Sequence, residues 1–133
     1  MPDDDVRYLG LADVMALHAQ MMERMGSHPA PLRDEGALES AVVRPQMGAY
    51  YEGADLVRQA ALLAVGISQA QAFVDGNKRT AFITALVFLR RNQHPFNGSH
   101  LEFAKQLEAV AERTDSLAAA TSRFEEWLRR HVE

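Results

Sequence analysis

Residues 71–80 read Gln-Ala-Phe-Val-Asp-Gly-Asn-Lys-Arg-Thr, and this polar stretch opens directly into an apolar run from Ala81 to Leu89. Its centre places a carboxylate, a glycine, an amide and two cations in consecutive positions, from Asp75 to Arg79. A polar turn that opens into a helix suits phosphate, because the first N–H groups of a helix lack intrahelical partners and the helix dipole adds positive charge. The stretch therefore predicts an anion-binding turn at the start of a helix.

Each residue type in this turn suits a nucleotide bound together with Mg²⁺. Arg79 offers a planar fork for bidentate contact with phosphate, and Lys78 offers a mobile point charge. Asn77 can donate its amide hydrogens, and Gly76 permits a positive φ angle and a close approach of the backbone to a ligand. Asp75 would repel phosphate on its own, so its presence indicates a bridging divalent cation. No Walker pattern G-x-x-x-x-G-K-[ST] occurs, so this is a different kind of nucleotide site.

Helical periodicity dominates the rest of the chain, and strand signals are scarce. A length of 133 residues fits a single domain over residues 1–133. The helix before the motif is apolar nearly all round, which is typical of a central, buried helix. We therefore predict a compact all-α bundle in one domain. Its main helices are expected over residues 11–25, 54–72, 78–92 and 99–113, with a last one that begins at residue 115 or 116.

The segment before the central helix is predicted to be irregular. Asp34 can cap a short helix that runs to about Val43, and Pro45 is expected to end it. Residues 44–53 contain two glycines and a pair of tyrosines. Such a composition predicts a loop, a short flap or a small hairpin.

The composition excludes several classes of protein. The chain has no cysteine, which excludes a disulfide scaffold and thiolate chemistry and fits a reducing compartment. A net charge of −4 argues against a broad electrostatic nucleic-acid binder. The N-terminus, Met1 to Asp5, is acidic, unlike a secretory signal, and no apolar run approaches the ~20 residues that span a bilayer. We expect a cytoplasmic protein without direct nucleic-acid or membrane partners.

The stretch Phe73-Val-Asp-Gly-Asn-Lys-Arg79 resembles the core motif of the Fic/Doc family, whose pattern is H-x-F-x-[DE]-[GA]-N-[GK]-R. Lys78 is similar to the Doc (death-on-curing) branch, since the typical Fic branch, which transfers adenylyl groups, has glycine there. The flanking sequence agrees with this resemblance. Residues 32–41 and 44–46 resemble the second helix of the family, and residues 88–92 resemble its helix after the motif.

The resemblance implies a Fic-like bundle that binds a nucleotide over the motif and holds a substrate segment with the flap, here about residues 44–55. Doc proteins are toxins of toxin–antitoxin pairs. They transfer phosphate from ATP to a hydroxyl of translation factor Tu, and a partner antitoxin silences them. Carried over position by position, the nucleotide site would consist of Phe73, Asp75, Gly76, Asn77, Lys78 and Arg79.

Within that site, the resemblance implies that Asp75 holds Mg²⁺ through the nucleotide and that position 71 acts with Lys78 and Arg79 in catalysis. Position 71 departs from the family pattern, because Gln71 replaces the histidine that takes the proton from the acceptor hydroxyl. An imidazole titrates near pH 6.5, whereas a carboxamide has no usable basicity. Such a base contributes ~10²–10⁴-fold in rate. Gln71 can still orient a hydroxyl, so we expect nucleotide binding with poor transfer.

Three explanations for Gln71 stay open: an engineered inactivation of a toxic protein, a natural degenerate copy, or a base supplied by another group. No histidine of the chain is a strong candidate for that base, and His18 is predicted to pack in the core beside Met15, Met21, Met22 and Met25. The sequence thus favours a Doc-like toxin that is inactive or weakened. The alternatives are a catalytically dead module that binds an antitoxin or another protein, and a Fic-type adenylyltransferase. The substrate, the antitoxin and the oligomeric state stay open.

Overall fold

The computed structural model describes residues 5–28 and 31–133, and these ranges form six α-helices. The all-α bundle predicted from the sequence is confirmed. None of the helices in the described ranges has both the length and the hydrophobicity needed to cross a bilayer. Residues 1–4, which make up most of the acidic N-terminus, lie outside the described ranges. The helices are α1 (Leu11–Arg24), α2 (Glu35–Glu52), α3 (Leu56–Ala70), α4 (Asn77–Arg91), α5 (His100–Ala111) and α6 (Leu117–Arg129).

Helix α3 is the centre of the bundle, as its nearly uniform apolar composition predicts. It contacts α2, α4, α5 and α6, and every residue from Gln59 to Ser68 is buried. Asp55 caps its N-terminus by accepting a hydrogen bond from the Arg58 N–H at 3.0 Å. The Arg129 guanidinium of α6 hydrogen-bonds the same carboxylate and holds the pKa of Asp55 below its ordinary value. The cap thus joins α3 to α6 at the end opposite the motif turn.

The prediction of a loop or hairpin over residues 44–53 is wrong, because α2 continues through Pro45 to Glu52. A proline inside a helix removes a backbone hydrogen bond and costs ~3 kcal/mol or more. Close packing of α2 on α3 offsets this cost. A Cβ built on Gly48 would lie 2.5 Å from Leu62 Cδ1, so the two helices meet at a residue without a side chain.

The last turn of α2 carries the paired tyrosines that the sequence placed in a flap. Tyr50 and Tyr51 are 79% and 73% exposed, and their rings meet edge to face with centroids 4.7 Å apart. Gly53, with φ 62°, ends the helix in the left-handed conformation. The segment before the central helix is therefore a helix end and a tight turn.

Replacing Gly48 by alanine is expected to lower the free energy of unfolding by about 1–3 kcal/mol, because the new methyl group overlaps Leu62. Gly36→Ala on the same helix is the matched control, since the heavy atom nearest to its Cβ is 3.6 Å away. That control is expected to be as stable as the original chain or up to about 1 kcal/mol more stable, because alanine favours the helix more than glycine does. Urea unfolding of the two variants measures the difference, and equal stabilities would contradict this packing of α2 on α3.

Candidate active site

The motif turn between α3 and α4 is hydrogen-bonded to the segment that precedes α2. Backbone hydrogen bonds of 2.6–3.1 Å join residues 31–34 to residues 72–74, around an isolated antiparallel bridge. The Arg33 guanidinium adds a hydrogen bond of 2.7 Å to the Gln71 carbonyl oxygen. No sequence signal predicts this contact of Arg33, which joins residues 38 positions apart. The turn therefore has a fixed position relative to the start of α2.

A reciprocal pair of hydrogen bonds closes the motif turn on itself. The Phe73 N–H donates to Asn77 Oδ1 at 3.0 Å, and Asn77 Nδ2 donates to the Phe73 carbonyl oxygen at 2.8 Å. The Phe73 ring is 2% exposed, anchors the turn in the core and does not line the pocket beside it, so its contact with a nucleotide stays a prediction. Phosphate binding by Asn77 stays a prediction. Its backbone N–H and the second hydrogen of its side-chain amide can donate to a phosphate oxygen.

Gly76 begins α4 in a conformation that favours glycine. Its φ of 84° is left-handed, and a Cβ there would lie 2.9 Å from Met21 Cε and 3.0 Å from Met22 Sδ. The first hydrogen bond of the helix runs from the Thr80 N–H to the Gly76 carbonyl oxygen at 2.9 Å. The N–H groups of residues 77–79 precede it and have no intrahelical acceptor. They form the donor set that the sequence predicts for an anion.

The first turn of α4 faces a pocket of about 380 Å³. One wall is the motif turn, and the other is the end of α1 with the residues that follow it. Every site residue predicted from the sequence lines this pocket except Phe73. The motif contributes Gln71, Val74, Asp75, Gly76, Asn77, Lys78 and Arg79, and the α1 side contributes Met21, Met22, Met25 and Ser27.

The structure corrects the prediction that the four methionines of α1 and its end pack in the core. Their helical spacing placed all four in the core, but only Met22 is buried, at 5% exposure. Met15 and Met25 are 38% and 50% exposed, and Met21 is half-buried at the pocket. Helical periodicity identifies the inward face of α1 but does not show where that face meets a pocket. Three of the four methionines thus form an apolar wall opposite the polar motif turn.

Gln71 lies at the pocket with its side chain turned back on α3. It ends that helix with φ 51° and ψ 41°, and its Nε2 donates to the Ser68 carbonyl oxygen at 2.8 Å. The amide offers one further hydrogen and an oxygen acceptor, but no group that can take a proton at neutral pH. The structure therefore places a polar, non-basic side chain at the position where the sequence resemblance implies a histidine.

The two cations of the motif differ in their surroundings. Lys78 forms an ion pair with Glu108 of α5, and the two side chains are 48% and 42% exposed. Arg79 is exposed at the pocket, and no carboxylate within residues 5–28 and 31–133 lies within salt-bridge distance of it. Arg79 thus offers its guanidinium fork to a phosphate. Lys78 would have to leave the Glu108 carboxylate before its ammonium group could contact a phosphate.

Asp75 fits a cation that is shared with a nucleotide. Its carboxylate is exposed, and Oδ1 accepts the Gly76 N–H at 2.8 Å. Across the part of the chain that the structure describes, no three His, Asp or Glu side chains gather into a metal site. A lone carboxylate suits Mg²⁺, which proteins commonly hold through one or two carboxylates together with phosphate oxygens.

His18 is packed in the core, as the sequence predicts, but it also touches the motif. It is 2% exposed, and its ring stacks on Phe73 with centroids 3.7 Å apart and planes 8° apart. Its Nε2 lies 2.9 Å from the Asp75 carbonyl oxygen. No sequence signal indicates this contact, which spans 57 positions of the chain.

A sequence model described as the Fic/DOC family matches residues 8–89, from just before α1 to near the end of α4. The chain belongs to the Fic/DOC family.

Two Doc proteins are similar to this member of the Fic/DOC family. "Protein kinase doc" of Escherichia phage P1 is 38% identical over 88 residues, which cover 65% of this chain and 69% of that protein. "Toxin Doc" of Mycolicibacterium smegmatis is 45% identical over 65 residues, which cover 46% of this chain and 48% of that protein. The match therefore spans about half of the mycobacterial relative. Both relatives are Doc proteins, in agreement with the branch that Lys78 predicts.

The Fic/DOC match contains both walls of the pocket. It includes α1 with its methionines and the whole motif turn, whereas Glu108 of α5 lies beyond its last residue. The pocket at the motif turn thus falls within the matched region, whereas Glu108, the partner of Lys78, lies outside it.

Proposed function

We propose that this chain is a Doc-type toxin that binds ATP with Mg²⁺ at the start of α4 and is built to transfer phosphate to a protein hydroxyl. The observation that carries the proposal is the convergence of three kinds of donor on one pocket. Residues 77–79 line its motif wall and supply unbonded helix N–H groups, an ammonium group and a guanidinium group. Together with the kinase and toxin names of the two relatives, this favours a phosphate ligand over other anions.

Each group has a distinct part in the proposed site. The N–H groups of residues 77–79 hold phosphate oxygens, and Arg79 makes the bidentate contact that fixes their orientation. Asp75 holds Mg²⁺ by its carboxylate, and the cation, when bound, neutralises part of the phosphate charge. The methionine wall opposite these groups keeps water from one side of the pocket, which strengthens polar interactions there.

Gln71 limits the proposed reaction to slow transfer. Its amide can orient an acceptor hydroxyl by hydrogen bonding, but it takes no proton from that hydroxyl. The proposed acceptor is a hydroxyl of translation factor Tu, so that the unweakened reaction would inhibit translation in the cytoplasm. The proposed partner is an antitoxin protein that silences the toxin.

Transfer by the Gln71→His variant tests the reaction class. The variant is incubated with Mg²⁺ and translation factor Tu, once with ATP labelled in the γ phosphate and once with ATP labelled in the α phosphate. We expect label in the factor only from the γ position. Label only from the α position would show an adenylyltransferase, and folded protein that transfers neither label would contradict the transferase proposal.

The ion pair of Lys78 gives a further prediction. Glu108→Gln removes the carboxylate that partly neutralises Lys78, so we expect ATP to bind up to about fivefold more tightly at low salt, the range of an exposed pair. Glu102→Gln is the matched control, because Glu102 lies on the same helix and hydrogen-bonds Gln106. Calorimetric titration at low and high salt measures both variants. Unchanged or weaker binding by Glu108→Gln would show that the pair does not compete with phosphate.

A second candidate function is favoured by Gln71 itself. A chain without the general base can persist as a binding module that keeps its surface for an antitoxin or another protein. Such a module needs neither the donors at residues 77–79 nor Arg79. Nucleotide binding by the unaltered chain therefore separates the two functions.

A further inference from the structure

We propose that His18 is a positioning residue that fixes the Asp75–Gly76 peptide group and thereby sets the affinity of the pocket for phosphate. The inference rests on the proposed nucleotide site and adds a residue from α1 that lies outside the motif. His18 acts through the backbone of the turn and does not line the pocket.

The imidazole is held in one orientation. Its 2% exposure leaves almost no contact with solvent, and its stacking on Phe73 at 3.7 Å fixes the plane of the ring. Phe73 is itself bracketed by the two hydrogen bonds to Asn77. The ring nitrogen that faces the turn is therefore fixed relative to the first residue of α4.

The contact with Asp75 also defines the tautomer of His18. A backbone carbonyl oxygen can only accept a hydrogen bond, so the Nε2 atom 2.9 Å away must carry the proton. The interaction is thus a directional N–H···O bond from α1 to the motif turn.

This bond completes the restraint of a single peptide group. The carbonyl of that group accepts from His18, and its Gly76 N–H donates to Asp75 Oδ1 at 2.8 Å. Because a peptide group is planar, holding both polar atoms fixes its plane. That plane sets the direction in which the chain enters Gly76 at φ 84° and so aims the N–H groups of residues 77–79.

Two substitutions separate the hydrogen bond of His18 from its packing. His18→Phe keeps an aromatic ring on Phe73 but has no donor, whereas His18→Gln keeps an N–H at similar reach but loses the ring. We expect His18→Phe to weaken ATP–Mg²⁺ binding about three- to tenfold, the usual worth of one hydrogen bond. We expect His18→Gln to bind within about twofold of the original chain, although its melting temperature falls further than that of His18→Phe.

The order of the ATP affinities of the two variants separates a positioning role from a purely structural one. If His18 only supported the fold, ATP affinity would follow stability, and His18→Gln would bind ATP more weakly than His18→Phe. That outcome, or undiminished binding by His18→Phe, would overturn the inference.

A measurement on the free protein tests His18 without any nucleotide. Nitrogen–proton NMR correlation of the imidazole is expected to show a proton on Nε2. Amide hydrogen exchange at Gly76 and Thr80, whose N–H groups are hydrogen-bonded at the turn, is expected to be faster in His18→Phe, with no change at Leu63 in the core. A proton on Nδ1 alone, or unchanged exchange at the turn, would overturn the inference. Absence of ATP binding by the unaltered chain would count against the proposed function instead.

Discussion

Replacing Gln71 by histidine is expected to raise the rate of phosphate transfer by about 10²–10⁴-fold, the contribution of a well-placed general base. Residue 71 already lies at the pocket with φ 51°, a left-handed conformation in which histidine is more common than most residues. The new imidazole therefore fits the existing backbone without further strain. The measurement is the initial rate of label transfer from γ-labelled ATP to translation factor Tu, compared with that of the unaltered chain.

The matched control for this substitution is Gln71→Asn. Asparagine tolerates the same backbone conformation and keeps a carboxamide, but it supplies no base. We expect its transfer rate to stay at the low level of the unaltered chain. An equal rate for Gln71→His and Gln71→Asn, with both variants folded, would mean that position 71 does not supply the base in this protein.

Arg79→Ala is expected to weaken ATP–Mg²⁺ binding by about 10–100-fold, because it removes a charged donor whose hydrogen bonds are worth about 1.5–3 kcal/mol. The guanidinium is exposed at the pocket, so its removal leaves no buried group without a partner. We therefore expect the melting temperature to change little. Calorimetric titration of the folded variant measures the loss of affinity.

Arg90→Ala provides the control for charge. Arg90 lies in the last turn of the same helix, is exposed and does not line the pocket. Removing it changes the net charge by the same amount as Arg79→Ala. An equal loss of affinity in the two variants would show general electrostatic attraction instead of a specific phosphate contact.

Local sequence signals located the helices and the motif turn well. The predicted helix over residues 54–72 corresponds to Leu56–Ala70, and the one over residues 78–92 corresponds to Asn77–Arg91. Asp34 caps α2 as its side chain predicts, with Oδ1 accepting the Ala37 N–H at 3.0 Å. Caps and periodicity act within a few residues, so one sequence is enough to find them.

Features that depend on distant contacts were not predictable in this way. Pro45 predicts a helix end because a proline inside a helix costs a large free energy. Only the packing of Gly48 against Leu62 shows why α2 continues past it. The contact of His18 with Asp75 and the pairing of Lys78 with Glu108 likewise join separate helices to the turn. The motif therefore revealed the residue types at the site, whereas the residues that position them became visible only in the fold.

We propose that the motif turn binds a nucleotide although Gln71 stands where the resemblance implies a basic histidine. Isothermal titration of the unaltered chain with ATP in the presence of Mg²⁺ tests this claim most directly. We predict one nucleotide per chain with a Kd of about 1 mM or tighter, and a marked loss of binding in Arg79→Ala. A folded chain that binds no ATP at millimolar concentrations would contradict the claim and favour a module that acts by protein contacts alone.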